Sequence, residues 1–292
     1  MLSIIVPVYN EEKNILSFLE RITKILNKLG NYEIIFCLDP SSDNTESLIK
    51  NTINNNKNIK LIKLSRRFRQ SNAILAGIEN CSGDYCVIID VDLQDPPELI
   101  ENMYNKIKEG YDCVFAKRIK KVGENIIRLL IIKIFYLVIN SFSDVSIPKN
   151  VGEFRIISRR MINYIKIHGK YNFYLRGVTS LIGFKTASIE FVRKSRDTGK
   201  SKYIIGSYKD ALNGVLNFTY LAQVLVLTIF FINFFLLIVL FFLQKISGIN
   251  FYVGILFSLI FLFIYFIIGY LIQINNVVHN KPMYIIDEKI NF

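Results

Sequence analysis

Tryptophan is absent from this chain, histidine occurs twice, and no glycine precedes Gly30. Each shortage excludes something. A dinucleotide-binding fold needs a glycine-rich turn after its first strand so that backbone can approach a pyrophosphate, and residues 1–29 supply none. His168 and His279 stand alone, so surface or capping roles are the default for both. The four cysteines, Cys37, Cys81, Cys86 and Cys113, lack metal-ligand spacing and lie in or beside apolar runs, which reads as core thiols in a reducing compartment. No cleavable signal is expected, because the first apolar run is short and leads straight into Pro7. Charge is missing from two long stretches. Residues 221–243 are apolar except for Gln223, Thr228 and Asn233, and residues 251–274 except for Ser258 and Gln273. At about 1.5 Å per residue each is long enough for a hydrocarbon layer of about 30 Å. A soluble helix would show a charged face, so a transmembrane hairpin is expected, with the short link 244–250 and both termini on one side.

What is present is a basic, mixed chain. With 292 residues there is room for one α/β domain and something more. The formal charge of +12 comes without a basic motif interleaved with base-reading aromatics, so no nucleic-acid partner is expected. Anionic lipid and phosphate-bearing substrates account for it more simply. Buried-strand patterns at 2–8, 33–38, 59–64 and 86–89 alternate with helical periodicity. The first helix shows it in Ile15, Leu19, Ile22 and Leu26, and Asp43 is placed to cap the second. Residues 71–79 form the third, with Gly77 allowing close packing. This β-α-β-α order implies a parallel sheet covered on both faces.

The fourth strand runs into Asp90-x-Asp92, then Gln94, and Pro96-Pro97 end it before a helix from Glu98. Alternate residues of a strand share a face, so Asp90 and Asp92 would point the same way at the carboxyl edge, where open α/β sheets bind ligands. Adjacent carboxylates repel unless a cation lies between them, and hard oxygen ligands suit Mg²⁺ or Mn²⁺ bridging to a substrate diphosphate. A solvated acidic turn is the bland alternative for so short a motif.

The strings V-P-V-Y-N-E-E at 6–12, L-D-P-S-S-D-N-T at 38–45 and D-V-D-L-Q-D-P-P-E-L at 90–99 together resemble family 2 glycosyltransferases of the GT-A fold. Within that family the chain is similar to the branch that moves a sugar from a nucleotide onto a polyprenyl phosphate, the dolichol-phosphate mannose synthases and bactoprenol glucosyltransferases. Further matches are Arg118 with Gly123-Glu124, Ser143-Asp144-Val145, Gly152-Glu153-Phe154-Arg155 with Ser158-Arg159-Arg160, and Arg176-Gly177. Arg196 with Gly199-Lys200-Ser201-Lys202-Tyr203, and the tail Lys281-Pro282-Met283-Tyr284-Ile285-Ile286, complete the likeness. The chain departs from the usual pattern at Leu38 and Pro40, where aspartate and glycine are usual, and at Arg67, where asparagine is usual. Lys121 stands for a second arginine and Glu153 for an aspartate.

The resemblance implies a GT-A nucleotide-sugar-binding domain over 1–208, α/β with a mostly parallel sheet. A membrane-approach segment at 209–220, the spans 221–243 and 251–274, and a cytoplasmic tail at 275–292 would follow. Residues 125–140, apolar except for Arg128 and Lys133, read as an interfacial helix or, alternatively, a buried core helix. Pro7, Tyr9 and Glu11 would wall the base and ribose. Asp39 would accept from a base N–H or ribose hydroxyl, or else cap a helix. Asp90, Asp92 and Gln94 would hold Mg²⁺ or Mn²⁺, with Asp92 central to the chemistry. Arg118 and Arg128, with Lys121 and Lys202 behind them, would cradle the acceptor phosphate, although any one of these fits a solvated surface. Glu153 would orient groups or act as base. The implied reaction is inverting transfer from a UDP- or GDP-linked sugar to undecaprenyl or dolichyl phosphate. Its setting would be the bilayer of a bacterial inner membrane, with both termini cytoplasmic and a homo-oligomer left open. A processive polysaccharide synthase of the same fold would carry Q-x-x-R-W, which a chain without tryptophan lacks. A degenerate binding protein would suit Leu38 and Glu153, but not the intact Asp90-Asp92-Gln94 set.

Overall fold

A computed structural model describes residues 1–119, 148, 151–168, 175–192, 221–242, 248–278 and 282–292. Lys121, Arg128, Lys202 and the segments 125–140 and 209–220 lie outside the described residues. The chain divides into a sheet unit and a helical unit.

The sheet unit opens with β1 (Leu2–Val8), α1 (Ile15–Leu29), β2 (Tyr32–Leu38), α2 (Thr45–Asn55), β3 (Ile59–Leu64), α3 (Arg69–Asn80) and β4 (Tyr85–Ile88). The alternation legible in the sequence is therefore present, and β1, β2, β3 and β4 are mutually parallel. Burial explains the pattern. Ile15, Phe18, Leu19, Ile22 and Leu26 form the inward stripe of α1, and Ile34 to Leu38 are wholly inside. Gly77 is where α3 meets the sheet: a Cβ there would stand 2.3 Å from Ile5 Cγ2 and 2.8 Å from Cys37 Sγ. Cys37, Cys81, Cys86 and Cys113 are free and buried, as expected.

The second half completes the sheet with α4 (Leu99–Lys108), β5 (Cys113–Arg118), β6 (Val151–Ser158), α5 (Arg159–His168), α6 (Leu175–Leu181), β7 (Thr186–Phe191) and β8 (Ile286–Ile290). Strand order is β7-β5-β6-β4-β1-β2-β3-β8. β6 lies antiparallel to both β4 and β5, and β8 antiparallel to β3. Ile286–Ile290 is an edge strand of the same sheet as β1, joined to it after the helical unit.

The amino edge of the sheet is closed by one buried carboxylate. Glu33, 3% exposed, accepts from Ser3 Oγ at 2.5 Å and Ser82 N at 2.7 Å, and pairs with Lys60 Nζ at 2.7 Å. Burial alone would raise its pKa, but these donors outweigh it and hold Glu33 below the ordinary glutamate value. The opposite, carboxyl edge is left for chemistry.

The helical unit contains α7 (Leu221–Phe242) and α8 (Gly248–Val278). They pack through Phe241 and Phe251, whose rings stack at 4.6 Å, and through Gly254 against Leu237. Asn250–Ile267 has a mean hydropathy of 2.2 and none of it is buried. Phe257, Phe261 and Phe263 are among its exposed side chains.

Candidate active site

The loops that leave β1 and β2 are tied to each other before any ligand is considered. Asn10, at φ 54°, donates its N–H to Ser41 Oγ at 3.0 Å and accepts from Ser42 N at 2.8 Å. Glu11 N donates to Thr45 Oγ1 at 2.8 Å, and Glu12 N to Asp43 Oδ2 at 3.2 Å. Asp43 also accepts from Thr45 N at 3.1 Å, but it lies one residue before the α2 N-cap Asn44, whose own side chain makes no cap hydrogen bond. The Glu11 carboxylate accepts from Asn14 Nδ2 at 2.5 Å. Pro7 and Tyr9 stand half-buried at the end of β1.

Asp39, 3% exposed, ends β2 and accepts from the backbone N–H of Phe68 at 3.0 Å and of Arg69 at 2.9 Å. Phe68 is the N-cap of α3 and Arg69 its first residue, so Asp39 holds the start of that helix. Burial pushes the Asp39 pKa up, against the pull of those two N–H groups and of Arg67 and Arg66. The basic loop it grips is strained, since Arg69 has φ 71°, a left-handed conformation that residues with a Cβ rarely adopt. Arg67 spreads over the Tyr9 ring at 4.0 Å and Arg66 over Phe68 at 4.0 Å.

The aspartate pair is carried differently from the expectation. β4 ends at Ile88, so Asp90 and Asp92 do not share a strand face. They sit in the turn beyond it, where Leu93 adopts φ 56° and Gln94 N folds back onto Asp92 Oδ1 at 3.2 Å. Leu93 is the one left-handed residue of that turn. Asp90 accepts from Gln70 Nε2 at 2.6 Å. Burial and the neighbouring Asp95, Asp92 and Glu153 carboxylates push Asp90 up to about 7, against the pull of Arg118.

The antiparallel register brings the second half of the chain to this turn. Ile88 pairs with Arg155, so Glu153, two residues earlier on β6, falls beside Asp90, two residues past the end of β4. Lys117 pairs with Val151, which delivers Arg118 to the same edge. Arg118 Nη2 lies 3.5 Å from Asp95 Oδ2, a carboxylate 1% exposed. Gly152 leaves that guanidinium room, because a Cβ there would stand 2.5 Å from Nη2. Glu153 pairs through Oε1 with Arg176 Nε at 2.9 Å, and Arg155 Nη2 is 3.7 Å from its Oε2. Arg155, 2% exposed, donates to the Gly152 carbonyl at 2.8 Å and to Thr179 Oγ1 at 2.8 Å, fixing β6 to α6.

Asp90, Asp92, Gln94, Arg118 and Glu153 therefore converge, whereas Lys121, Arg128 and Lys202 lie outside the described residues. Gln70 and Asp95 belong to the same site although no role was read for them from sequence. Asp95 lies inside the acidic string itself, and Gln70 closes the basic loop. Among the described residues no three His, Cys, Asp or Glu side chains form a self-sufficient metal cluster. Two carboxylates and an amide would suit a cation that takes its remaining oxygens from a substrate. The raised Asp90, crowded by like charges, fits such a cation.

Residues 3–166 match the family model described as glycosyl transferase family 2. An uncharacterised glycosyltransferase of Synechocystis is 36% identical over 222 residues, 75% of this chain and 70% of that protein. A prophage bactoprenol glucosyl transferase homolog of Escherichia coli K12 is 35% identical over 204 residues, covering 69% of this chain and 66% of that protein. Among solved structures, a glucosyl-3-phosphoglycerate synthase of Mycobacterium tuberculosis, in complex with Mn²⁺, UDP and phosphoglyceric acid, superposes with a TM-score of 0.51 at 16% identity. That match covers 74% of this chain and 76% of the other. A mannosyltransferase of Pyrobaculum calidifontis, in complex with GDP-mannose and Mn²⁺, gives 0.50 at 15% identity over 72% and 60%. The last two comparisons place the sheet domain in the GT-A fold, and the first two bring the argument to its conclusion: the chain belongs to glycosyl transferase family 2 and is a glycosyltransferase similar to the bactoprenol glucosyl transferases.

Proposed function

We propose that this glycosyltransferase moves a sugar, with inversion, from a UDP- or GDP-linked donor onto a polyprenyl phosphate at a bacterial inner membrane. The observation that carries the reading is the convergence of Asp90, Asp92, Arg118 and Glu153 on one sheet edge, in a chain that also holds two uncharged helices of 22 and 31 residues. Relatives named for bactoprenol glucosyl transfer support the acceptor class. Asp90, Asp92 and Gln94 would hold Mg²⁺ or Mn²⁺, which would supply Lewis-acid neutralisation of the departing nucleoside diphosphate. The protein's own residues do the rest. Pro7, Tyr9 and Glu11 line the end of β1 where the nucleotide lies, and Asp39 holds the basic loop against it. Arg118, oriented by buried Asp95, faces the charge that moves from sugar–phosphate bond to leaving group. Arg128, Lys121 and Lys202 complete the acceptor cradle in this reading.

A phosphate acceptor needs no base. Its second pKa lies near about 6, so it arrives ionised at neutral pH. Attack opposite the leaving diphosphate inverts the anomeric carbon. Incubating membranes that contain the protein with labelled UDP-, GDP- and dTDP-sugars, then identifying the product, tests the reading. A single sugar on a lipid phosphate is expected. Free sugar alone, or a growing polymer, overturns it.

The sheet also supports a two-span topology. β8 returns to the sheet that contains β1, so the helical unit leaves one domain and re-enters the same one. A domain on one side of a bilayer requires an even number of crossings between those points. A cysteine placed at position 247, between the helices, should react with an impermeant reagent in intact cells, and one placed at Asn291 should not. The reverse labelling pattern would invert the orientation.

A further inference from the structure

The tail motif plays no part in the site as described, yet from Pro282 onward it lies in the sheet unit. β8 runs antiparallel to β3 from Leu61↔Ile290 to Leu64↔Ile286. Ser65 N–H then donates to the Ile285 carbonyl at 2.9 Å, so the last backbone hydrogen bond before the basic loop is made to the tail. The Tyr284 hydroxyl donates to the Glu79 carboxylate on α3. Lys289 Nζ reaches Asn80 Oδ1 at 2.6 Å and Lys50 Nζ reaches Glu288 at 2.8 Å. The tail therefore holds the strand that enters the loop 65–69 at its near end, and the helix that follows the loop at its far end, Glu79 and Asn80. What hangs between those two anchors is the nucleotide half of the site. It comprises the strained Arg69, the Phe68 and Arg69 N–H groups on Asp39, Arg67 over Tyr9, and Gln70 on Asp90 at 2.6 Å.

We propose that the C-terminal strand, through Tyr284, is a positioning element for nucleotide binding: it sets the spacing of β3 and α3 on which the loop from Ser65 to Gln70 is strung. This rests on the reading of that edge as the donor site. A left-handed arginine is tolerated only where the surroundings over-determine it, and the tail fixes the strand before it and the far end of the helix after it. The donor site is then completed by residues that follow both long apolar helices in the chain. Every residue assigned to the nucleotide in that reading precedes them.

The test uses the full-length protein in detergent, with UDP and GDP each titrated in the presence of MgCl₂. Tyr284→Phe removes one hydroxyl and keeps the ring. It should weaken binding of whichever nucleotide the wild type takes by about 5- to 20-fold, the scale of one hydrogen bond to a charged group partly transmitted. Asn291→Ala is the control. Its Nδ2 donates to the Lys57 and Ile59 carbonyls at 2.7 and 2.9 Å, at the far end of the same strand pair, roughly 20 Å from Ser65 at strand rise. It should leave nucleotide affinity unchanged while loosening the strand's other end, read as a lower Tm. Unchanged affinity in Tyr284→Phe overturns the inference, and so does equal weakening by both variants, which would mean general loosening of the sheet edge. If the wild type binds neither nucleotide, the donor-site reading fails and the inference with it.

Discussion

Asp92→Asn should lose sugar transfer by about 10³-fold or more, and EDTA should reproduce the loss in the wild type, since a Lewis-acid contribution of several kcal/mol corresponds to that range. The electrostatics of the turn explain why so small a change matters. Asp90, Asp92, Asp95 and Glu153 crowd one edge, and Arg118 is the cation that opposes them at Asp90. Burial and those like charges already push Asp90 up to about 7, and a bound cation would relieve that crowding. Asparagine keeps the shape and removes one of two anionic ligands. The diphosphate would then depart with little compensation beyond Arg118. Added Mn²⁺ should restore activity to EDTA-treated wild type but not to the variant. Full activity of the metal-stripped wild type would remove Asp90, Asp92 and Gln94 from the chemistry.

The half of the site on β1 to β4 was legible in the sequence because its determinants are local. Apolar runs of strand length, the stripe of Ile15, Leu19, Ile22 and Leu26, and the small Gly77 each report on their own neighbourhood. The acidic string was legible too, although its geometry was not. Strand periodicity predicts a shared face for Asp90 and Asp92, whereas the strand stops at Ile88 and the turn bends through Leu93. The other half depends on pairing across long sequence separations. Nothing in Val151–Ser158 announces that Arg155 is buried, because its charge is balanced by a carbonyl from its own strand, a threonine hydroxyl on α6 and the Glu153 carboxylate. β8 was missed for a related reason. Ile286–Ile290 is a half-exposed edge strand whose Asp287 and Lys289 are exposed, so its composition resembles a tail. The resemblance to relatives named those stretches without explaining them, and the register supplies the explanation.

Glu153→Gln should retain much of the transfer rate, within about tenfold of wild type, because the carboxylate orients rather than takes a proton. Its two oxygens face arginines: Oε1 accepts from Arg176 Nε at 2.9 Å and Oε2 lies 3.7 Å from Arg155 Nη2. Accepting a proton there would break or weaken an ion pair at the moment of transfer, and the phosphate acceptor has no proton to give at neutral pH. Glutamine keeps an acceptor oxygen for Arg176 and places its amide on the Arg155 side, where the charge attraction is lost. That loss should be modest, since Arg155 is held by carbonyls and Thr179 as well. The rate should rise with pH through about 6, following ionisation of the acceptor in wild type and variant alike. Glu153→Asp is the control, restoring the usual family residue, and should be tolerated under either mechanism. An obligatory base would show itself differently, since general base catalysis typically contributes about 10² to 10⁴-fold. A Gln variant that binds nucleotide and lipid phosphate normally yet turns over at that lower level would make Glu153 the base and end the base-free mechanism.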